Sequence, residues 1–443
     1  MNNFISQAGS AVNVIMGWPI IFFVIGVSII VTLALGFIQL RYFFAAWKYT
    51  FAPSKSEGKS DMSPFQAFIN TLNTSTGNGS IAGMATAIYS GGPGAAFWII
   101  IITLLLMSVR YAEVYLSTFY GERAPKNNTL GGPMLYLRNV IGGKYLAYAY
   151  AVACVFFGFT GGSAMQANSM SLSIYTAWQV PLIVTGFIIF AFVFYAILGG
   201  AARIVKFSEA IVPLKVGVFF LSSIIVLLYH YQAIIPALKL IVGSALNIRA
   251  FAGGVLGFSI QQSMRYGIIR SINATESGLG IAAIMFGSTG SKNPVKDGIM
   301  SMATTLVSAL VCFIVALCII ASGVWNSGAT STALTMAAYS TVFGTFGGWI
   351  ISFLSFTFGI GVIVSYAYIT KAAWDAVLGN RLTYLFIAVY SLSAFLGAQM
   401  DVTRLWSLID ISLACMLVIN LIGVLYLLPQ LKRGLQSFKN LAE

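Results

Sequence analysis

The sequence predicts an all-α integral membrane protein whose eleven transmembrane helices form one domain over residues 1–443. The prediction rests first on composition, because 58% of the 443 residues are hydrophobic and only 8% are charged, against about a quarter charged in an ordinary soluble domain. So few charges do not cover a water-soluble surface. It rests second on apolar runs of about 20 residues, each long enough to cross the bilayer core as a helix, which recur between short polar loops.

Apolar runs bounded by turn residues predict where each helix crosses the membrane. The predicted spans cover residues 17–40, 64–90, 94–119, 144–174, 180–199, 208–229, 243–263, 298–322, 347–371, 380–399 and 404–428. The start of the chain, Met1 to Gly17, has no basic segment and no small-residue cleavage site before a long apolar run. We therefore expect the first helix to be retained.

The positions of the basic residues predict the orientation in the membrane. Lys and Arg are enriched in cytoplasmic loops, and eleven spans put most of the 24 basic residues on one side, together with the basic tail at 429–443. The N-terminus is then outside and the C-terminus cytoplasmic, in a multi-pass protein of the cell membrane. The net charge of +13 belongs to these loops, where it meets lipid head groups, and does not indicate nucleic-acid binding.

Two spans are polar and rich in glycine where a lipid-facing helix would be apolar. The second contains Asn73-Thr-Ser-Thr-Gly-Asn-Gly-Ser-Ile-Ala-Gly83, and the seventh contains Gly253-Gly-Val-Leu-Gly-Phe-Ser-Ile-Gln-Gln-Ser263. Backbone groups cannot stay unpaired in lipid, so we expect both segments to lie unwound inside the bundle. The alternative is that the glycines only let helices pack closely.

The two unusual spans are five apart, which predicts an inverted repeat. Such a repeat sets discontinuous first and sixth core helices against each other at the midplane of a secondary transporter. The predicted halves are residues 64–229 and 243–428. The span at 17–40 is then an extra helix, and residues 429–443 form a cytoplasmic tail.

Several ordered motifs resemble those of the alanine or glycine:cation symporter family, the sodium:alanine symporters. They are Gly91-Gly-Pro-Gly-Ala-Ala-Phe-Trp98, Arg110-Tyr-Ala-Glu113, Gly131-Gly-Pro-Met-Leu-Tyr136, Gly199-Gly-Ala-Ala-Arg-Ile204, Ser208-Glu-Ala-Ile-Val-Pro213, Arg265-Tyr-Gly-Ile-Ile-Arg270 and Glu276-Ser-Gly-Leu-Gly280. The resemblance implies a leucine-transporter-like fold of the amino acid, polyamine and cation superfamily. It also implies import of alanine or glycine with sodium, in a prokaryotic plasma membrane.

The chain departs from that family's pattern in two places. Residues 77–83 read Gly-Asn-Gly-Ser-Ile-Ala-Gly where the family usually has G-T-G-N-I-A-G. The family's W-S-Y-Y-G-E in the eighth core helix is reduced to a stretch around Ser365, Tyr366 and Tyr368, with Lys371 near the glutamate position. Both regions would contact substrate and ion.

The candidate substrate site is predicted from the broken spans. The acids well inside spans, Glu113 and Asp410, lie nearer helix ends than the midplane, so a cationic substrate would lack the carboxylate that it requires. A zwitterion can instead use the N–H groups of a half-helix and opposite carbonyls. The candidate substrate-binding residues are Gly77, Asn78, Gly79, Gln166, Asn168, Phe258 and Gln262. The resemblance implies that the glutamine contacts substrate.

The sodium ligands are predicted to be oxygens near the first break and in the ninth span. Carbonyls near Thr74 to Gly77, with the hydroxyls of Ser75, Thr357 and Ser365, are the candidates. No further cofactor is expected.

Gating residues are predicted at the cytoplasmic end of the bundle. Arg110 and Glu113 are three residues apart on one helix face and could pair. The segment 265–290 is too polar to span and is interpreted as an inner loop helix, where Glu276 would make state-dependent bonds.

Other functions remain as alternatives. A proton could replace sodium as the coupling ion. A channel would be expected to have a charged ring or a repeated filter, and a membrane enzyme would need a catalytic cluster that the motifs do not supply. The oligomeric state is open.

Overall fold

The computed structural model describes residues 17–51, 62–123, 131–246 and 260–442, and this part of the chain is helical throughout, without strands. The longer helices before residue 230 are α1 (Trp18–Ala34), α2 (Phe43–Phe51), α3 (Pro64–Ser75), α4 (Met84–Gly91), α5 (Ala95–Glu122), α6 (Gly143–Trp178), α7 (Leu182–Leu198) and α8 (Gly200–Tyr229). Short turns of helix lie at Ile38–Arg41, Pro133–Tyr136 and Leu137–Asn139, and π-helical turns at Gly79–Gly83 and Gly158–Ala164.

The longer helices after residue 230 are α9 (Tyr231–Leu246), α10 (Ile260–Thr275), α11 (Ile281–Gly287), α12 (Pro294–Ala321), α13 (Ser331–Phe343), α14 (Thr345–Leu378), α15 (Thr383–Gln399), α16 (Val402–Tyr426) and α17 (Leu428–Ala442). Short turns lie at Val324–Asn326 and Asn380–Leu382.

Within the described ranges, seven helices are long and apolar enough to cross a membrane: α5, α6, α8, α12, α14, α15 and α16. Helices α1, α7 and α9 are apolar but shorter. The outer face of α8 exposes Leu221 and Leu228, each at 65%, and an apolar surface of this kind suits lipid rather than water. The described helices therefore fit a multi-pass membrane protein.

The second predicted span is interrupted, as expected from its sequence. Helix α3 starts at a capping box in which Ser63 and Gln66 bond each other's backbone N–H groups at 3.2 and 2.8 Å. It ends at Ser75, Thr76 leaves the helical conformation, and the chain resumes through the π-helical turn at Gly79–Gly83 into α4.

Most of the seventh predicted span, 243–263, lies outside the described residues, and the interpretation of 265–290 as a loop helix is wrong. The chain runs inside the bundle as α10, breaks at Glu276–Gly280, and continues as α11. Glycine at 267 lets α10 approach α5 closely, since a Cβ there would lie 2.7 Å from the Ala95 carbonyl oxygen. Ser263, Ser271 and Thr275 of α10 are buried, so low hydropathy did not mark a loop. Phe258 and the glycines at 253–257 lie outside the described residues.

Two arginines that the predicted spans place in an inner loop lie instead within this interrupted helix. Arg265 and Arg270 belong to α10, and the Arg270 guanidinium lies 3.9 Å from the centre of the Trp406 ring. Helix α13, which lies between two predicted spans, packs against the first break, where Thr335 Oγ1 donates to the Ile81 carbonyl at 3.3 Å.

Candidate functional site

A cavity lies where the two interrupted helices meet α6, α14 and α16. The residues that line it are Thr74, Ser75, Gly77 and Gly79 of the first break, Phe157, Gly161, Met165 and Gln166 of α6, Asn273, Ala274 and Glu276 of the second break, Val362 and Tyr366 of α14, and Trp406 and Ile409 of α16. The volume open to the centres of water molecules is about 50 Å³. One water needs ~10–15 Å³, so the cavity suits a small solute.

The wall at the first break depends on Gly77. A Cβ at this position would lie 2.7 Å from a Val362 methyl and 3.2 Å from the Gln166 side-chain oxygen. The absence of a side chain lets Gln166 accept a hydrogen bond from the Asn78 backbone N–H at 3.1 Å. The Gln166 amide nitrogen makes a long bond, 3.3 Å, to the Gly161 carbonyl of its own helix. The glutamine therefore presents its amide group to the cavity and the broken backbone together.

The wall at the second break depends on Glu276, which is 4% exposed and has a left-handed backbone with φ of +54°. Its carboxylate accepts from Thr74 Oγ1 at 2.7 Å and from the Tyr366 hydroxyl. The expectation that the candidate site has no carboxylate is wrong, because the Glu276 carboxylate joins α3, α14 and the second break at the cavity. The sequence predicted Glu276 as a gating residue and not as a cavity residue, because 265–290 was interpreted as a loop.

Arg110 and Glu113 do not pair with each other as the sequence suggested, and both instead contact the second break. The Arg110 guanidinium donates to the carbonyl of Thr275, the last residue of α10, and to Thr305 Oγ1 at 3.2 Å. The Glu113 carboxylate accepts the Gly280 N–H, just before α11, at 2.9 Å. A cation thus sits at a helix C-terminus and an anion at a helix N-terminus, the arrangement that peptide dipoles favour.

Three predicted binding residues point elsewhere. The Asn78 side chain exchanges hydrogen bonds with Ser355 of α14 at 3.1 and 2.8 Å. The Asn168 amide donates to the Gly397 and Met400 carbonyls at 2.9 and 2.7 Å, at the end of α15. Gln262 is exposed in the first turn of α10.

The side chains of the residues predicted for sodium bond other groups of the protein. Thr74 bonds Glu276, and Ser75 accepts from Ser308 Oγ at 2.7 Å. Thr357 donates to carbonyls of its own helix, at Phe353 and Leu354. Ser365 Oγ accepts from the Asn73 amide at 2.9 Å.

A buried lysine at the first break was missed as a site residue. Lys215 of α8 is 0% exposed, and its ammonium group donates to the Asn73 carbonyl at 3.2 Å, to the Asn73 side-chain oxygen at 2.6 Å and to the Thr76 carbonyl at 2.9 Å. A lone lysine inside an otherwise apolar span was the available signal.

Comparison with known proteins matches the whole chain, residues 1–443, to the family model described as the sodium:alanine symporter family. An uncharacterized transporter of Haemophilus influenzae is 32% identical over 93% of this chain and 91% of its own length. The sodium/alanine symporter AgcS of Methanococcus maripaludis is 29% identical, over 96% and 95%. The probable sodium/glutamine symporter GlnT of Bacillus subtilis is 28% identical, over 95% and 87%.

Among solved structures, a manganese transporter of Eremococcus coleocola has a similar fold. The TM-score is 0.50 at 12% identity, over 83% of this chain and 78% of that protein. At this identity the likeness concerns the fold alone.

Proposed function

The chain belongs to the sodium:alanine symporter family, a family of transporters and not of enzymes, and we propose that it imports alanine or glycine in symport with a cation. Transport would proceed by alternating access. The observation that carries the proposal is the cavity of about 50 Å³ between two interrupted helices. Discontinuous helices of this kind form the midplane substrate sites of secondary transporters.

The polar groups around the cavity suit a zwitterion. In the proposed pose the substrate carboxylate faces the start of the half-helix at Gly79, where N–H groups and the helix dipole favour an anion, and the Gln166 amide. The substrate ammonium faces the Glu276 carboxylate and the last carbonyls of α10. The small cavity suits an amino acid with a hydrogen or methyl side chain better than one with a side chain the size of glutamine's.

We further propose eleven membrane crossings, with α3–α4 and α10–α11 each counted as one. The crossings are α1, α3–α4, α5, α6, α7, α8, α10–α11, α12, α14, α15 and α16. The last ten divide into two sets of five, each opened by an interrupted helix, which supports an inverted repeat. The N-terminus would then be outside and α17 cytoplasmic, in a prokaryotic cell membrane.

The coupling cation has two candidates. Sodium is favoured by the family description and by the names of AgcS and GlnT. The proton is favoured by the Lys215 ammonium at the first break, because the carbonyl oxygens there are already bonded to a cation of the protein itself.

The experiment that tests the proposed function is uptake of radiolabelled L-alanine, glycine and L-glutamine into proteoliposomes, under sodium, proton or no gradient. We expect alanine and glycine to accumulate under a cation gradient, glutamine to be excluded, and Gln166→Ala to lose uptake by ~10-fold or more, the effect of about 1.4 kcal/mol. Gln399→Ala, at an exposed glutamine of α15, is the matched control.

Equilibration of alanine without accumulation under any gradient would contradict symport. Preloaded unlabelled alanine distinguishes a carrier from a channel, because a carrier then shows transient accumulation of label by exchange.

A further inference from the structure

The ammonium group of Lys215 occupies an oxygen-lined position on the interrupted helix α3. Its three hydrogen bonds, at 2.6, 2.9 and 3.2 Å, use the three donors that a lysine ammonium has. Two of the acceptors are backbone carbonyls next to the break, at Asn73 and Thr76. Carbonyls freed by unwinding of a half-helix are the oxygens that transporters offer to a coupling ion.

Groups of the protein also fill the space between α3 and α14. The Asn73 amide nitrogen donates to the Gly361 carbonyl at 2.9 Å and to the Ser365 and Ser208 hydroxyls at 2.9 and 3.1 Å. A Cβ at Gly361 would collide with the Asn73 side chain, so the packing leaves no room beside it. The oxygens between α3 and α14 are therefore bonded to groups of the protein itself.

None of the direct partners of the Lys215 ammonium is an anion. Within the described ranges, the charged group that acts on it is Glu276, at the second break. Helix α3 carries no ionisable side chain, and α14 presents the Phe358 ring, whose centre lies 5.1 Å from the nitrogen. Tyr366 of α14 faces Glu276 and donates to it, and Arg110 also acts on that carboxylate. One carboxylate therefore interacts with two buried cations and links Lys215 to the cavity.

We propose that the Lys215 ammonium takes the place of a sodium ion at the first break and that its proton is the coupling ion. This inference rests on the proposed symport of a small amino acid and selects between its two candidate cations. In the coupling step an N–H bond of the ammonium breaks, the proton passes to water, and the electron pair stays on the neutral amine.

Loss of that proton has a mechanical consequence. The charge-assisted bonds from Lys215 to the Asn73 and Thr76 carbonyls weaken, and the broken backbone is free to change its packing against α8. Coupling follows because protonated and neutral lysine then favour different conformations of the break, whereas a cation that bound both equally would shift nothing.

The first experiment measures L-alanine accumulation in proteoliposomes with the wild type, Lys215→Met and Lys215→Arg. We expect the wild type to accumulate alanine under an inward proton gradient in sodium-free buffer, and a sodium gradient at equal pH to add less than twofold. Arginine keeps the charge but does not release a proton. Both variants should therefore lose accumulation at least tenfold while alanine exchange stays within about threefold of wild type.

The matched control is Lys239→Met, the same substitution at an exposed lysine of α9, which should behave as wild type. Accumulation by the wild type that requires sodium, and that survives in Lys215→Arg, would overturn the inference. Exchange without accumulation in the variants separates loss of coupling from loss of the amino-acid site.

A second measurement does not depend on the amino acid. The melting temperature of the purified wild type is compared in sodium chloride and choline chloride at equal ionic strength, since an ion that binds the native state raises it. We expect no sodium shift. A rise of several degrees that Lys215→Met retains would overturn the inference, whether or not the variants transport. If alanine neither accumulates nor exchanges in the wild type, the proposed function fails, and this measurement still decides whether the lysine displaces sodium.

Discussion

The break between α3 and α4 and the break between α10 and α11 face one cavity, yet their free backbone groups are bonded by different partners. At the first break, carbonyls bond a lysine from α8, and the Asn78 N–H bonds the neutral Gln166 amide. At the second, a cation and an anion from the same face of α5 bond the two facing helix ends. The first break thus depends on neutral groups and one cation, and the second on two opposite charges.

This difference indicates separate roles. Arg110 and Glu113 both belong to α5, so they hold the ends of α10 and α11 to a single helix. The free backbone groups of the first break bond side chains of α6 and α8, which are different helices, so a relative motion of those helices would alter the break directly. We expect the stability of the second break to be more sensitive to removal of a charged side chain. We expect the stability of the first break to be more sensitive to an added side-chain atom.

The largest effect on stability is expected from Arg110→Met. The variant leaves the Thr275 carbonyl and the nearby Glu113 carboxylate without their buried cation, and removal of one member of such a group costs about 3–5 kcal/mol. Thermal unfolding in detergent measures it, with Arg123→Met, at the exposed end of α5, as control. Equal melting of Arg110→Met and wild type would mean that the second break does not depend on this charge.

Glu113→Gln is expected to have a smaller effect of the same kind. The amide keeps the size and one acceptor but loses the negative charge at the Gly280 N–H, and a hydrogen bond to a charged group contributes ~1.5–3 kcal/mol. Unfolding is compared with Glu122→Gln, near the end of the same helix. A loss of stability no greater than that of Glu122→Gln would mean that the charge of Glu113 does not stabilise this break.

At the first break, Gly77→Ala tests space instead of charge. Its new methyl would lie 2.7 Å from Val362, whereas a Cβ at Gly79 meets open space. Overpacking costs ~1–3 kcal/mol, so Gly77→Ala should lower the melting temperature without added substrate and Gly79→Ala should not. Restoration of stability by Val362→Ala in the Gly77→Ala background would assign the loss to this contact, and a similar loss in both glycine variants would contradict it.

The smallest effect is expected away from both breaks, at Asn168→Ala. The substitution frees two carbonyls at the end of α15, with a loss of about 1 kcal/mol, but the residue does not line the cavity. The KM for alanine should stay unchanged, in contrast to Gln166→Ala. A raised KM with normal stability would bring Asn168 into the binding site.

The first break could be predicted from sequence because small polar residues between 73 and 80 have no reason to face lipid. The second could not be located, since the polarity of α10 is the same whether the helix lies in a loop or inside a bundle. The close approach of Gly267 to α5 distinguishes the two cases, and that contact joins distant parts of the chain.

The sequence predicted only part of the site, and the reason is similar. Gln166 and Asn168 carry the same kind of amide, but successive residues turn by about 100° around a helix, so two positions apart they point to different neighbours. Lys215 was missed because its acceptors, Asn73 and Thr76, are 142 and 139 residues away in sequence. Nothing near position 215 indicates what the ammonium bonds.

The most direct test of the central claim, that both breaks build one amino-acid site, is a double-mutant cycle across the Thr74–Glu276 hydrogen bond. Equilibrium binding of labelled L-alanine is measured for the purified wild type, Thr74→Ala, Glu276→Gln and the double variant. We expect each single variant to bind at least tenfold more weakly, and the double variant to bind no more weakly than the worse single one, because contacting residues do not act additively. Wild-type affinity in both single variants, or fully additive losses in the double variant, would contradict a shared site.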